Sequence, residues 1–221
     1  MITQALNTIL SFTYPSFCRS CQTLVPQNNI FCCSCYEKIK PIVSLMLPIT
    51  KKHHMKVFAA SAYQEPLKSL ILKKAFSEKL ASKQLAEIIL KKIGFNNINP
   101  DVLIPIPLHW TRYANRGYNQ SEIMSKYLGK NFNKPSLNIL KRTRKTQFQS
   151  CLKKEQKKEN VRNAFEIKYF YKTFKFNIIK DKNILIIDDL CTSGSTLQNA
   201  AKVLFKLKPK SINAIVACRV I

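Results

Sequence analysis

Residues 184–196 read ILIIDDLCTSGST, and this stretch decides the fold. Four apolar residues predict a buried strand that ends in the adjacent carboxylates Asp188 and Asp189. A short loop of small and hydroxyl-bearing residues then opens a helix, whose first turn offers N–H groups and the positive end of the helix dipole. In a parallel sheet, ligands bind at the carboxyl ends of the strands. We therefore expect an anion-binding site at this point of the chain.

The residue types around the loop predict a ribose 5-phosphate ligand. The two carboxylates would repel a phosphate placed on them, but they suit ribose hydroxyls or a Mg²⁺ ion held with those hydroxyls. A simpler alternative is that the segment has only a structural role, with both acids as turn formers and one hydroxyl residue as the N-cap of the helix. This alternative accounts for one Ser or Thr and leaves the rest of the run unexplained. The loop combines hydroxyl donors with a backbone that can approach phosphate closely, and its members are Thr192, Ser193, Gly194, Ser195 and Thr196.

Strands alternate with helices along most of the chain, which predicts an α/β fold with a mostly parallel sheet flanked by helices. Residues 1–55 are expected to form a small cysteine-rich unit that ends in a polar linker at residues 51–54, and residues 56–221 the main domain. Helices are expected after Pro66, Gly117 and Gly194. The expected strands cover residues 56–63, 101–106, 137–140, 183–187 and 212–218.

A second motif follows the expected strand 101–106, so it can share the crevice at the end of residues 184–187. Residues 105–120 read PIPLHWTRYANRGYNQ. Arg112 and Arg116 are four residues apart, and at the start of a helix they would lie on one face, within reach of one anion. Arginine suits a diphosphate because it forms bidentate hydrogen bonds. The alternative interpretation of this pair is a solvated basic face.

The first motif resembles the binding motif for 5-phosphoribosyl 1-diphosphate (PRPP) in type I phosphoribosyltransferases. The second motif, and the stretch 140–165, resemble the ComF family of competence-associated proteins, so the likeness covers nearly the whole chain. The resemblance implies a type I phosphoribosyltransferase-like domain behind an N-terminal cysteine cluster. It implies that Asp188 and Asp189 meet the ribose hydroxyls and that residues 192–196 hold the 5-phosphate. The loop after residues 104–107 would bind diphosphate, and residues 141–160 would close over the site as a lid.

The resemblance also implies a reaction, the Mg²⁺-dependent transfer of a phosphoribosyl group to a nucleobase or amine that the sequence does not identify. The residues expected to catalyse this transfer would position the substrate and stabilise the negative charge of the leaving diphosphate. They are Asp188, Asp189, Arg112 and Arg116. The reaction would be linked to DNA uptake in competence or to nucleotide salvage. The competing interpretation is a non-catalytic competence accessory protein that binds single-stranded DNA or a helicase-type partner. Trp110 near the cleft is compatible with single-strand contacts.

Two Cys-x-x-Cys pairs separated by ten residues predict a metal site. Four thiolates at this spacing can surround one tetrahedral zinc ion, which would be structural because no coordination position stays open. Cys33 could replace its neighbour only in a tighter Cys-x-Cys turn, so it is left out. A reduced, buried set of cysteines or a redox dithiol is the alternative. The expected ligands are Cys18, Cys21, Cys32 and Cys35.

The chain is strongly basic, with 37 Lys and Arg against 12 Asp and Glu and a formal net charge of +25. This charge favours a polyanionic partner, either nucleic acid or a phosphorylated substrate, although a compositional bias toward lysine would give the same excess. No apolar run reaches the ~20 residues of a spanning helix. Residues 2–12 are short and lack the basic start of a signal peptide. We therefore expect a cytoplasmic protein without membrane insertion.

Overall fold

The computed structural model describes residues 15–26, 29–73, 79–93, 98–143, 164–174 and 178–221. Residues 2–12 and most of the stretch expected to form a lid, from residue 144 onward, lie outside the described residues. The elements in chain order are β1 Ser16–Phe17, β2 Leu24–Val25, α1 Cys33–Glu37, β3 Ile42–Pro48, β4 His54–Ala62, α2 Leu67–Lys73, α3 Lys79–Lys92, β5 Val102–Pro105, α4 Trp110–Arg116, α5 Gln120–Phe132, β6 Leu140–Arg142, β7 Phe165–Ile167, α6 Tyr169–Phe174, β8 Asn183–Cys191, α7 Ser195–Phe205 and β9 Ser211–Arg219.

The main sheet has five strands in the order β3-β4-β9-β8-β5. Strands β4, β9, β8 and β5 run parallel to one another, and β3 pairs antiparallel with β4 at one edge. This arrangement confirms the α/β class and the mostly parallel sheet predicted from the sequence. Two-stranded sheets form separately from β1 with β2 and from β6 with β7.

Helices cover both faces of the main sheet, as a parallel sheet requires. Leu185 and Ile187 of β8 pack in one buried cluster with residues of α2, α3 and α5. Ile184 and Ile186, which alternate with them along the strand, pack in a second cluster with residues of α7. The strong apolar run of β8 follows from this burial on both sides, and it fixes the strand at the centre of the domain.

Strand β8 is longer than the sequence predicts, and this places the two acids differently. The expected strand ends at residue 187, whereas the observed one continues to Cys191. Its last residues pair with β9, with Asp188 opposite Val216 and Leu190 opposite Cys218. Asp188 and Asp189 therefore lie in the last part of a paired strand and not in the loop after it. Backbone pairing with a neighbouring strand overrides the local turn preference of two adjacent aspartates.

Strand β3 is absent from the elements expected from the sequence. It lies before the domain boundary expected at residues 55 and 56, yet it pairs with β4 in the main sheet. Residues 51–54, expected to be a linker, form the hairpin turn and the start of β4. The backbone N–H of Ile49 donates to the carbonyl of His53 at 2.8 Å and closes this turn. Among the described helices, none has the length and apolar character needed to cross a membrane.

Candidate functional site

The two acids lie where β8 meets the N-terminus of α5. Asp188 is 9% exposed, and its Oδ1 accepts a hydrogen bond from the hydroxyl of Ser121 at 2.9 Å. The same oxygen accepts the backbone N–H of Asp189 at 3.0 Å. Asp189 is more exposed than Asp188. The acid pair thus combines one carboxylate held by the protein with one that is more accessible to a ligand.

The loop after β8 leads directly into α7, an eleven-residue helix. Gly194 is the N-cap of this helix and has a φ of 76°, in the left-handed region where glycine is favoured. A Cβ atom at this position would lie 2.6 Å from Cδ1 of Leu47, because β3 packs its leucine against the loop. The hydroxyls of Ser193 and Ser195 are hydrogen-bonded at 2.7 Å. The loop therefore presents a helix N-terminus and clustered hydroxyl groups at the same edge of the sheet as the acids.

The thiol of Cys191, at the end of β8, is buried and beside the acids. Burial raises the pKa of Cys191 to about 11, the nearby charge of Asp188 contributes to the rise, and Arg219 opposes it. A thiol with this pKa stays protonated at neutral pH, and the thiol form is a poor nucleophile. Cys191 is therefore a packing residue of the site.

The expected arginine pair lies on α4, which follows β5. The helix begins after His109, whose Nδ1 accepts the backbone N–H of Thr111 at 3.4 Å, and it ends at Gly117 with a φ of 72°. Burial lowers the pKa of Arg112, and the adjacent charge of Arg116 lowers it further. The two positive charges therefore act on each other. Two partly exposed cations that repel each other in this way form a setting that favours a bound anion.

A third arginine, Arg142 at the end of β6, joins this group. Its strand forms a β-bridge with His109, which brings β6 against the start of α4. Burial lowers the pKa of Arg142, the charge of Arg112 adds to this effect, and the charge of Asp188 opposes it. The guanidinium carbon also lies 5.4 Å from the ring centroid of Phe165 on β7. Arg142 thus lies within electrostatic reach of both Arg112, in the cationic part of the site, and Asp188, in the acidic part.

Sequence reasoning gave no individual role to Arg142, Ser121 or His109, although His109 and Arg142 lie in the stretches that carry the family resemblance and Ser121 directly follows one of them. Contacts between distant parts of the chain give these residues their place in the site. The three parts of the candidate site are an acidic part on β8, a hydroxyl-rich loop before α7, and a cationic part on α4 and β6. Such a set suits an elongated ligand with a sugar between two phosphate-bearing ends.

The four predicted cysteine ligands come together as one cluster. The Sγ atoms of Cys18, Cys21, Cys32 and Cys35 all lie within 4.8 Å of one another. Cys33 is exposed and is not part of this cluster, in agreement with the preference for its neighbour. Four thiolates close to tetrahedral spacing fit a thiophilic metal ion with no open position.

The cysteine unit shares its core with the main domain. Cys18, Cys35 and Phe31 belong to the same buried cluster as Ile88 of α3. The Nζ atom of Lys92, at the end of α3, lies 4.0 Å from the ring centroid of Tyr36 on α1. Folding of the cysteine unit is therefore coupled to packing on this face of the domain.

Comparisons with known proteins agree with the fold. The model of the phosphoribosyl transferase domain matches residues 74–221. Competence protein F of Haemophilus influenzae is 34% identical over 114 residues, which make up 51% of this chain and 48% of that protein. Competence protein ComFC of Bacillus subtilis is 31% identical over 129 residues, or 57% of this chain and 48% of that protein. The alignments thus span about half the length of these two relatives.

A third relative aligns along most of its length. DNA utilization protein YhgH of Escherichia coli is 24% identical over 214 residues, which are 94% of this chain and 86% of that protein. The names of the three relatives agree with the ComF resemblance of the arginine motif. Because the family model covers more than half of the chain, the chain belongs to the phosphoribosyl transferase domain family, in the ComF group that its motifs resemble.

Proposed function

We propose that the site binds PRPP with Mg²⁺ and transfers its phosphoribosyl group to a nucleobase or amine in the cytoplasm. The observation that carries the proposal is that carboxylates, a hydroxyl-rich helix N-terminus and arginines come together at one edge of the sheet. Asp188 and Asp189 lie near the end of β8, the Gly194 loop follows at the N-terminus of α7, and Arg142 of β6 is near enough to Asp188 and to Arg112 of α4 for both charges to act on its pKa. These three groups match the three parts of PRPP, in which the ribose lies between the 5-phosphate and the diphosphate.

Each part of the site has one task in this proposal. Residues 192–196 hold the 5-phosphate through backbone N–H and hydroxyl donors. Asp188 and Asp189 accept hydrogen bonds from the ribose hydroxyls. They can also hold a hard cation such as Mg²⁺, which would neutralise part of the diphosphate charge. Arg112, Arg116 and Arg142 bind the diphosphate through charge-assisted hydrogen bonds.

The reaction needs positioning and charge stabilisation more than acid–base chemistry. The bond from ribose C1 to the diphosphate oxygen breaks, and a bond from C1 to the acceptor nitrogen forms. The electron pair of the broken bond leaves with diphosphate, and the acceptor nitrogen releases a proton to solvent or to the diphosphate. Arginines placed on the leaving group stabilise the charge that develops there. This chemistry assigns the catalytic role to the cationic part of the site.

Turnover can be tested by incubating the full chain with PRPP, Mg²⁺ and a panel of nucleobases and amines. Mass spectrometry should detect one phosphoribosylated acceptor together with an equal amount of released diphosphate. An Asp189→Asn variant should lose this product. If the protein binds PRPP but forms no product with any acceptor, it is a PRPP-binding protein without transferase activity, and the transferase proposal is contradicted.

Single-stranded DNA binding is a second candidate function, and one surface favours it. Trp110 and Tyr113 are 71% and 50% exposed on α4, the helix that also carries Arg112 and Arg116. Exposed aromatic rings beside arginines form a stacking platform for unpaired bases. Trp110 is the single tryptophan of the chain, so its fluorescence reports directly on this surface. Quenching by an oligonucleotide at physiological salt, and none by PRPP, would favour DNA binding.

We infer that the four-cysteine cluster holds zinc. Elemental analysis should find about one zinc per chain, as a single four-ligand site requires. Because the cluster shares a core with α3, removal of the metal by a chelator should lower the melting temperature of the whole protein by about 10 °C. Cys32→Ser should lose the zinc, whereas Cys33→Ser at the adjacent exposed thiol should retain it. Metal-free protein with an unchanged melting temperature would contradict the assignment.

A further inference from the structure

A chain of buried hydrogen bonds joins the end of β5 to the acid pair on β8. Asn119 is the N-cap of α5, and its Nδ2 donates to the carbonyl of Ile106 at 2.9 Å. Its Oδ1 accepts the backbone N–H of Ser121 at 3.2 Å. The hydroxyl of Ser121 then donates to Oδ1 of Asp188 at 2.9 Å. All three side chains of this network are buried: Asn119 is 5% exposed, Ser121 is 4% exposed and Asp188 is 9% exposed.

Helix capping accounts for Asn119 but not for the hydroxyl of Ser121. An N-cap needs a side-chain oxygen that accepts an N–H of the first turn, and Asn119 supplies it. The hydroxyl of Ser121 contacts a carboxylate 67 positions away in the sequence. A hydroxyl has a single proton to donate, so this contact fixes its rotation. The bond is charge-assisted when Asp188 is ionised, which makes it stronger than a neutral one.

We propose that Ser121 is a positioning residue that orients the Asp188 carboxylate for ligand binding, with Asn119 linking Ser121 to the end of β5. The inference rests on the proposed function, because PRPP is the ligand it concerns. Oδ1 of Asp188 accepts two hydrogen bonds, one from the hydroxyl of Ser121 and one from the backbone N–H of Asp189. The carboxylate therefore has a fixed orientation before the ligand arrives, and pre-organisation of this kind raises affinity. Asp189 is more exposed than Asp188 and is therefore the more accessible of the two acids to a ligand.

Ser125 provides a matched control on the same helix. It lies one turn after Ser121, is fully buried, and shares a hydrogen bond of 2.7 Å with the hydroxyl of Ser136. Ser125→Ala therefore removes a buried hydroxyl contact of similar length that does not involve the acids. Both Ser→Ala variants should lower the melting temperature, whereas only Ser121→Ala should weaken ligand binding. Ser121→Cys keeps the size and a weaker donor, and it serves if the alanine variant does not fold.

The test is calorimetric titration of PRPP with Mg²⁺ into the full chain and its variants. Ser121→Ala should weaken PRPP binding about tenfold, Ser121→Cys by less, and Ser125→Ala should bind like the parent. A double-mutant cycle separates positioning from folding: in an Asp188→Ala background, which lacks the acceptor, the effect of Ser121→Ala on PRPP affinity should disappear.

Either of two kinds of result would overturn the inference while the proposed function stands: no loss of affinity in Ser121→Ala, or a loss that is not specific to the Asp188 contact. In the first, the parent binds PRPP and Ser121→Ala binds equally well. In the second, Ser125→Ala loses as much affinity as Ser121→Ala, or the loss from Ser121→Ala persists without the Asp188 carboxylate. A parent protein that does not bind PRPP at all overturns the proposed function and this inference with it.

Discussion

Gly194→Ala should lower the free energy of unfolding by about 2–3 kcal/mol and weaken PRPP binding, because two separate features of the loop require glycine. The φ of 76° costs a residue with a side chain about 1–2 kcal/mol. The added Cβ would also lie 2.6 and 2.9 Å from the two methyl carbons of Leu47, so that this side chain must move. Either adjustment shifts the backbone that surrounds the 5-phosphate.

Gly117 is the matched control for this prediction. It has a similar φ of 72°, but a Cβ built there meets no atom of the described chain within 4 Å. Gly117→Ala should therefore cost only the backbone strain, about 1–2 kcal/mol. The double variant Leu47→Ala/Gly194→Ala should regain part of the PRPP affinity lost in Gly194→Ala. Urea denaturation and calorimetry measure both effects. A Gly194→Ala variant no worse than Gly117→Ala, or no recovery of affinity in the double variant, would show that Leu47 does not restrict the loop.

Arg142→Ala should weaken PRPP binding by about 1.5–3 kcal/mol, or roughly 10- to 100-fold, with little change for ribose 5-phosphate. The residue is half-buried between Arg112 and Asp188, so its charge acts with little solvent screening. Ribose 5-phosphate lacks the diphosphate that this guanidinium is proposed to bind. Arg142→Lys keeps the charge but not the bidentate geometry, and it should give an intermediate loss. Calorimetry with the two ligands measures the difference.

Lys141 controls for the loss of one positive charge at the same strand. Its Nζ lies 3.0 Å from Oε2 of Glu166 in an exposed ion pair, away from the acids. Exposed pairs of this kind contribute about 0–1 kcal/mol, so Lys141→Ala should leave PRPP affinity nearly unchanged. Equal losses from Lys141→Ala and Arg142→Ala would indicate a general effect of net charge. Equal losses of the two ligands in Arg142→Ala would remove the diphosphate assignment.

Local patterns in the sequence were sufficient for the acids, the loop and the cysteine cluster. An apolar strand followed by Asp188 and Asp189, and then by a helix start, is encoded within thirteen consecutive residues. The two Cys-x-x-Cys pairs likewise carry their own spacing, and the structure groups the same four thiols that the spacing predicts. Features of this kind depend on chain geometry over a few residues, which the sequence displays directly.

Features that depend on contacts between distant segments could not be predicted in this way. Leu47 packs on Gly194 across a sheet edge, because the unpredicted strand β3 folds back on β4. Ser121 reaches Asp188 only because α5 packs beside β8. Arg142 joins Arg112 because β6 bridges to His109. No period or spacing in one segment reveals a partner in another, so these residues become functional candidates only once the fold is known.

The most direct test of the account is calorimetric titration of PRPP into the parent and into Asp189→Asn, each with and without Mg²⁺. The parent should bind PRPP more tightly when Mg²⁺ is present, and Asp189→Asn should lose most of that gain, because the amide keeps the shape of the side chain but removes its charge. Without Mg²⁺ the two proteins should differ little. If Asp189→Asn binds PRPP like the parent in Mg²⁺, the acid pair forms only the end of a strand, and the proposed phosphoribosyl site is contradicted.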